Sequence, residues 1–162
     1  MKPSEVMARV KAHFCELPPP SLVRFVAPAG LRTNADVDIR IMPGQACRVR
    51  VMHEDVQSIT FATVEGHPEA GRITFGAYRN PAGDVIFHIR SRARSASTAG
   101  RAGFLAIGDA MQTNTWTDFI NNTAAAIGAH IPDAVRAEAK EVEDLPEDDL
   151  PLQSPTFLSV GD

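Results

Sequence analysis

The chain contains few of the residues and segments that mark secreted or membrane proteins. Of its 162 residues, two are cysteine, one is tryptophan and one is tyrosine. Cys15 and Cys47 form no CxxC pair, which predicts reduced thiols and a cytoplasmic location. No apolar run approaches the roughly 18 residues of a membrane-spanning helix, and residues 1–20 lack the apolar core of a signal peptide. We therefore expect a soluble cytoplasmic protein.

Several motifs for cofactor and metal chemistry are also missing from the sequence. It contains no P-loop, no GxGxxG fingerprint, no HExxH pair and no nucleophile elbow. The five histidines are scattered, without ligand spacing to each other or to a cysteine pair. The sequence therefore predicts no cofactor and no bound metal.

Charge is divided unevenly along the chain, whose net charge is −4. Residues 132–162 contain nine acidic and two basic residues, together with four prolines. Such a composition is typical of extended or flexible chain. The length and the 44% hydrophobic content fit one domain. We predict that this domain spans residues 1–131 and that 132–162 is a flexible acidic tail.

Most of the domain shows the two-residue alternation of β-strands, from about Ser21 to Ser95. Apolar residues alternate with polar ones in five segments, and a further strand is possible at 22–26. Turn-forming clusters lie between the strands at 43–44, 66–68 and 80–83, as expected for antiparallel neighbours. We predict that one face of this sheet carries the alternating apolar residues, which are Val37, Ile39, Ile41, Cys47, Val49, Val51, Ile59, Phe61, Ile73, Phe75, Val85, Phe87 and Ile89.

Helical spacing appears at both ends of the strand region. Val6, Val10 and Phe14 recur at four-residue intervals, which predicts a short helix over 4–16 with Ser4 as N-cap. A second apolar pattern predicts a helix of roughly 26 residues over 104–129, ended by Gly128 or Pro132. An antiparallel sheet must cover its apolar face. We expect this second helix to cover it.

The turn between two of the strands contains candidate acid and base groups. In GHPEAG (66–71), His67 and Glu69 are a candidate acid/base pair, because imidazole as a group suits proton transfer near neutral pH and a carboxylate two residues away can orient it. The alternative is structural, because glycine and proline shape a tight connection and a carboxylate there can satisfy backbone amides. Both interpretations remain open.

Basic residues alternate along the strand that follows. In FHIRSRARS, His88, Arg90, Arg92 and Arg94 share one side, and Arg48 and Arg50 do so on another strand. His88 is a further catalytic candidate and Arg90 a candidate ligand contact. The arginines suit an anionic partner, or pairing with carboxylates such as Asp36 and Asp38. Scarce aromatic residues and the acidic chain argue against nucleic acid.

Polar residues interrupt the second predicted helix in MQTNTWTDFINN (111–122). Asn and Thr are poor helix formers, so another role is expected for them. Gln112, Thr115 and Trp116 are candidates for lining a ligand site, which combines apolar walls with a few polar groups. The alternative is a solvated helix face with Trp116 in the core.

The string GHPEAGRITF, the strand DVIFHIRSRAR and a helix containing MQ together resemble the uncharacterised family called domain of unknown function nineteen-ninety, over about residues 36–125. The residues that match its signature are Gly66, His67, Pro68, Glu69, Gly71 and Phe75. The chain departs from the pattern at Arg72 and Ile73, where the family usually has acidic residues. It also departs at Ser95, because the family usually has proline after the arginine that corresponds to Arg94.

The resemblance implies an α+β fold of the START-like helix-grip type. In that fold a curved antiparallel sheet of five to seven strands wraps around a long C-terminal helix and an apolar cavity. The family has no assigned activity, and a fold alone implies none. Our leading hypothesis is that a small hydrophobic or amphipathic ligand binds in the apolar cavity that this fold encloses. The alternatives are a cofactor-independent cyclase-like or hydrolase-like enzyme using His and Glu, and an interaction module with an arginine-rich sheet face.

Overall fold

A computed structural model of the chain describes residues 1–65, 67, 69–95, 109–130, 135–138 and 156–159. Within these ranges the chain forms two helices and eight strands. In order they are α1 (Pro3–His13), β1 (Val23–Val26), β2 (Asp36–Ile41), β3 (Gln45–Glu54), β4 (Ser58–Thr63), β5 (Glu69–Arg79), β6 (Val85–Ser95), α2 (Asp109–Ala126), β7 (Arg136–Glu138) and β8 (Thr156–Ser159). Neither helix is long and apolar enough to cross a membrane.

The strands form one antiparallel sheet in the order β1-β2-β3-β4-β5-β6-β8-β7. Strands β1–β6 follow one another as a meander that curls into a half-barrel. β8 pairs with β6, and β7 pairs with β8. The predicted α+β class and antiparallel meander are thus confirmed.

The cross-strand register places the alternating apolar residues on one face, as predicted. Val37 lies opposite Val49, Val51 opposite Phe61, and Phe75 opposite Ile89. Side chains at these positions form the hydrophobic core with those of both helices. Successive side chains of a strand point to opposite faces, so the polar residues between them form the outer face of the sheet.

α1 begins earlier than predicted, so the prediction of Ser4 as N-cap is wrong. Lys2 is the N-cap and Pro3 occupies the first helical position, where a missing N–H costs nothing. Glu5 accepts a hydrogen bond from the backbone N–H of Lys2 at 2.8 Å. The proline and this carboxylate therefore mark the start of the helix.

α1 covers a large part of the inner face, which the sequence analysis assigned to the second helix alone. It contacts β5, β6 and α2, and Val6, Met7 and Val10 are buried. Phe14, just after α1, has its ring within 5.0–5.4 Å of four other phenylalanine rings, those of Phe25, Phe61, Phe75 and Phe119. The core is therefore closed by two helices.

α2 is shorter than the predicted helix over 104–129. It begins at Asp109 and ends at Ala126, and residues 104–108 lie outside the described part of the chain. Of the two predicted ends, Gly128 and Pro132, Gly128 ends the helix. Its φ is +68°, its N–H donates to Ala125 O at 3.1 Å, and the N–H of Ala129 donates to Ala124 O at 2.9 Å. This pair of bonds is a Schellman cap, which favours glycine because of the positive φ.

The boundary predicted at residue 131 lies among 131–134, outside the described residues. Two short segments of the acidic region, β7 and β8, are strands at the edge of the sheet. Residues 139–155, which connect them, also lie outside the described part of the chain. The flexible tail over 132–162 stays a prediction.

Candidate functional site

The structure divides the predicted site residues between the two faces of the sheet. On β6, Phe87 and Ile89 point inward into the core, so His88 and Arg90 alternate onto the outer face. Trp116 on α2 packs against the core on the inner side. Arg90 therefore does not share a site with the predicted ligand contacts of α2.

The inner site centres on Trp116. Its ring meets Phe75 edge-on at 5.6 Å and Phe119 at 6.3 Å between centroids. Its indole Nε1 is buried, and no acceptor lies within hydrogen-bond distance among the described residues. A buried donor without an acceptor costs about 1–3 kcal/mol. Such a group in a native protein requires an explanation.

The inner face is only partly covered at the end that carries the 43–44 and 64–68 turns. Ile39, Ile41 and Ile73 are half-buried there although they pack against the core. On α2, Thr115 is buried and Gln112 is half-buried. The curled sheet thus presents partly exposed apolar side chains on the same side as α2.

Two of the polar residues of α2 have structural partners. Asn122 Nδ2 donates to the carbonyl oxygen of Leu17 at 2.7 Å, which joins α2 to the chain segment after α1. The hydroxyl of Thr123 donates to Phe119 O at 2.8 Å within the helix. The Asn122 contact gives a structural role to one residue of the polar run 111–122, and Thr123 follows that run directly.

The signature turn is held at its base by a hydroxyl group. Thr63 Oγ1 accepts a hydrogen bond from Gly71 N at 2.9 Å and donates to Gly71 O at 3.3 Å. His67 is half-buried, and its backbone N–H donates to Val64 O at 3.1 Å. Glu69 begins β5 opposite Ser95, but its side chain lies outside the description. The His67–Glu69 pair stays a prediction.

His88 lies on the outer face across from Gly76. A Cβ built on Gly76 would stand 2.9 Å from His88 Cε1, so the glycine leaves room for the imidazole ring. Tyr78 packs on the same ring at 5.5 Å between centroids. Burial, and secondly the charge of Arg90, lower the pKa of His88 to about 4. His88 is therefore neutral at physiological pH.

The outer face also contains the ion pairs that the sequence analysis offered as one alternative. Arg48 Nε donates to Asp38 Oδ1, and Arg50 Nε to Asp36 Oδ1, each at 2.7 Å. The hydrogen bond from Arg50 lowers the pKa of Asp36. These pairs are exposed, so each contributes little to stability. They confirm that carboxylates of this face pair with its arginines.

Sequence reasoning missed Thr63 and Tyr78 as partners of the candidate residues. Alternation placed Thr63 on a strand, but only the β4–β5 register brings its hydroxyl to Gly71. Similarly, Tyr78 reaches His88 because β5 pairs with β6.

Among the described residues, no three His, Cys, Asp or Glu side chains are grouped as metal ligands.

These features define an α+β protein with a curled antiparallel sheet, closed on its inner side by two helices. The model of the family "Domain of unknown function (DUF1990)" matches residues 8–121, and the chain belongs to this family. Neither the curated proteins nor the solved structures contain a match to the chain.

Proposed function

We propose that the protein binds a small, largely apolar ligand with one hydrogen-bond acceptor between the sheet and α2, in a helix-grip arrangement. The observation that carries the proposal is the buried indole N–H of Trp116, which has no acceptor among the described residues. An acceptor on the ligand removes the cost of this buried donor. The cytoplasmic location is part of the proposal.

The surroundings of Trp116 support an apolar ligand. Phe75 and Phe119 flank its indole ring, and Ile73 is the next inward residue of β5 beyond Phe75. Small-molecule sites commonly combine such apolar walls with a few directed polar groups. Thr115, the residue before Trp116 on α2, is buried and is a second polar candidate for the site.

The single tryptophan of the chain provides the test. The protein is purified and examined by native mass spectrometry for a bound molecule, and dodecanoic acid is titrated as a defined probe while Trp116 emission is followed. We expect a saturable emission change. The proposal fails if no molecule co-purifies and dodecanoic acid leaves the emission unchanged up to its solubility limit.

A Trp116→Phe variant separates the hydrogen bond from the apolar contact. It keeps an aromatic ring but removes the N–H, so affinity for the probe, measured by calorimetry, should fall about tenfold for the loss of one hydrogen bond. Tyr78→Phe is the matched control, because it changes an aromatic residue on the opposite face. Equal affinities of the wild-type protein and Trp116→Phe would contradict the role of the indole.

A cofactor-independent enzyme is the second candidate, and His88 is the observation that favours it. Burial keeps its imidazole neutral at physiological pH, and a general base must be in this state. However, a pKa of about 4 makes it a weak base, because the best catalytic pKa lies near the working pH. Ligand binding is therefore our first choice. Loss of hydrolysis of p-nitrophenyl acetate in His88→Gln would favour the enzyme instead.

A further inference from the structure

Most charged residues of the strands lie on the outer face of the sheet. The strand register gives outward positions to both aspartates of β2, to the arginines of β1, β2, β3 and β6, and to Arg72 of β5. Among the described strands, three inward positions carry a charged residue, and these are Glu54, Glu69 and Arg79. The inner face, on which Trp116 packs, is therefore almost entirely uncharged.

Two of these three charged residues lie at the end of the sheet beside α1, and both have partners. Lys11 Nζ of α1 donates to a carboxylate oxygen of Glu54 at 3.0 Å. Arg79 donates to the carbonyl oxygen of Met1 at 3.2 Å and to that of Gly83. Both residues stand at the C-terminal ends of their strands. They are therefore far from the partly exposed end of the inner face, where the 43–44 and 64–68 turns lie.

The partly exposed end offers no cation among its described inward residues. Ile39, Ile41 and Ile73 are half-buried there. Glu69, opposite Ser95, is the charged strand position at this end, and it is acidic. A carboxylate that loses its water without gaining a partner is strongly unfavourable. An anionic ligand group would find no described counter-charge here and would share this end with an acidic residue.

The indole N–H of Trp116 also restricts the polar group of the ligand. An indole nitrogen only donates, so the group that it meets must accept, which an ammonium group cannot do. A carbonyl oxygen accepts without bringing a proton of its own. A hydroxyl group accepts as well, but its O–H then needs an acceptor in the same surroundings. Phe75 and Phe119, whose rings flank the indole, supply none.

We propose that the ligand at Trp116, whose binding is the proposed function on which this inference rests, is an uncharged apolar molecule with a carbonyl oxygen as its acceptor. Long-chain ketones and esters have this chemistry. The carbonyl oxygen accepts from Trp116 Nε1, and the apolar chain lies along the half-buried isoleucines of the inner face. An ionised fatty acid uses the same apolar walls but keeps its carboxylate in water at the opening, so it binds more weakly.

Four probes of equal chain length test the charge and the polar group separately. They are 2-decanone, 2-decanol, decanoate and decylamine, and each is titrated into the full chain at about pH 8, where the acid and the amine are both charged. Trp116 emission and calorimetry give the affinities. We expect 2-decanone to bind at least about tenfold more tightly than either charged probe, since an unpaired charge is costly to bury. It should also bind about fivefold more tightly than 2-decanol, whose O–H is left without an acceptor.

A cation introduced on the inner face should change this preference. Ile73→Lys places an ammonium group at the partly exposed end, next to Phe75 along the inner side of β5. It should reduce the preference for 2-decanone over decanoate at least about fivefold, because the carboxylate gains a partner. Met52→Lys adds the same charge at a residue that is 45% exposed, and it should change the preference less than about twofold. Thermal melts check both folds, and the ranking of the four probes in the wild-type protein needs neither variant.

Three results would overturn the proposal and leave ligand binding at Trp116 intact. The first is decanoate or decylamine binding as tightly as 2-decanone. The second is equal affinity for 2-decanol and 2-decanone, which removes the reason for a carbonyl group. The third is an equal change of preference in Ile73→Lys and Met52→Lys, which indicates only a net-charge effect. If none of the four probes binds, the proposed function fails, and the class of ligand fails with it.

Discussion

Thr63 and Gly71 join the two strands beside the signature turn through one hydroxyl group, which accepts from Gly71 N and donates to Gly71 O. The β6 backbone approaches the same glycine from the other side. A Cβ at position 71 would stand 2.1 Å from the carbonyl oxygen of Arg92. The second glycine of GHPEAG therefore has a steric role in the packing of three strands.

Gly71→Ala should destabilise the protein by about 2 kcal/mol or more, because the added methyl group forces β5 and β6 apart. Urea denaturation measures the loss. Gly44→Ala is the control, since a Cβ there meets no heavy atom within 4 Å among the described residues, and it should change stability by about 0.5 kcal/mol or less. Equal effects of the two substitutions would show that the close approach at Gly71 is unimportant.

Asn122→Ala should destabilise the protein by about 1 kcal/mol, the net contribution of one hydrogen bond. The variant leaves the Leu17 carbonyl without the amide that reaches it from α2. Asn121→Ala is the matched control, because it gains the same helix propensity without losing this bond. Chemical denaturation gives the free energy of unfolding of both variants, and the difference between them measures the contribution of the hydrogen bond. Equal free energies would contradict a stabilising role for this bond.

Phe14→Ala should cost about 3–5 kcal/mol, the usual range for deleting a buried aromatic side chain. Phe14 is 3% exposed and packs between α2 and the inner face of the sheet. Met42→Ala, at a residue that is 45% exposed, should have little effect. A loss below about 1 kcal/mol for Phe14→Ala would show that the segment after α1 does not close the core.

Because the pKa of His88 is lowered in the folded protein, the free energy of unfolding should decrease as the pH falls from about 6.5 to about 4. The unfolded histidine takes up a proton below about pH 6.5, whereas burial and Arg90 delay protonation of the folded state to about pH 4. In this window the unfolded chain binds more protons, so acid favours unfolding.

The variant His88→Gln should retain about 3 kcal/mol of the stability that the wild-type protein loses across this window, since each pKa unit of the shift corresponds to about 1.4 kcal/mol. Urea denaturation at several pH values measures the difference between the two proteins. Arg90→Gln provides a second check, since removing the nearby positive charge should reduce the pH dependence. An identical pH dependence for the wild-type protein and His88→Gln would contradict the burial of a neutral imidazole.

Much of the sheet could be predicted from the sequence, because a strand reveals its two faces through a local two-residue period. Val37, Val51 and Phe75 share the inner face as that period indicates. The pairing of Arg48 and Arg50 with Asp36 and Asp38 was also foreseen as one alternative, since adjacent antiparallel strands bring opposite charges together. Gly128 was one of the two predicted ends of α2, and the structure places it there because glycine readily adopts the positive φ of the cap.

The start of α1 and the length of α2 were harder to predict. Ser4 is a good N-cap residue in general, but Pro3 already occupies the first helical position. The apolar pattern over 104–129 extends beyond both ends of α2, which begins at Asp109 and ends at Ala126. Hydrophobic period alone therefore locates a helix without fixing its ends.

The sequence by itself determined the alternation of the strands, the arginine spacing of β6 and the turn residues, because each depends on neighbours along the chain. Only the tertiary structure decided that Phe14 lies at the centre of the core, that Gly71 meets Arg92, and that His88 and Trp116 lie on opposite sides of the sheet. These relations join residues distant in sequence. They depend on strand register and on how the helices pack over the curled sheet, which no local pattern specifies.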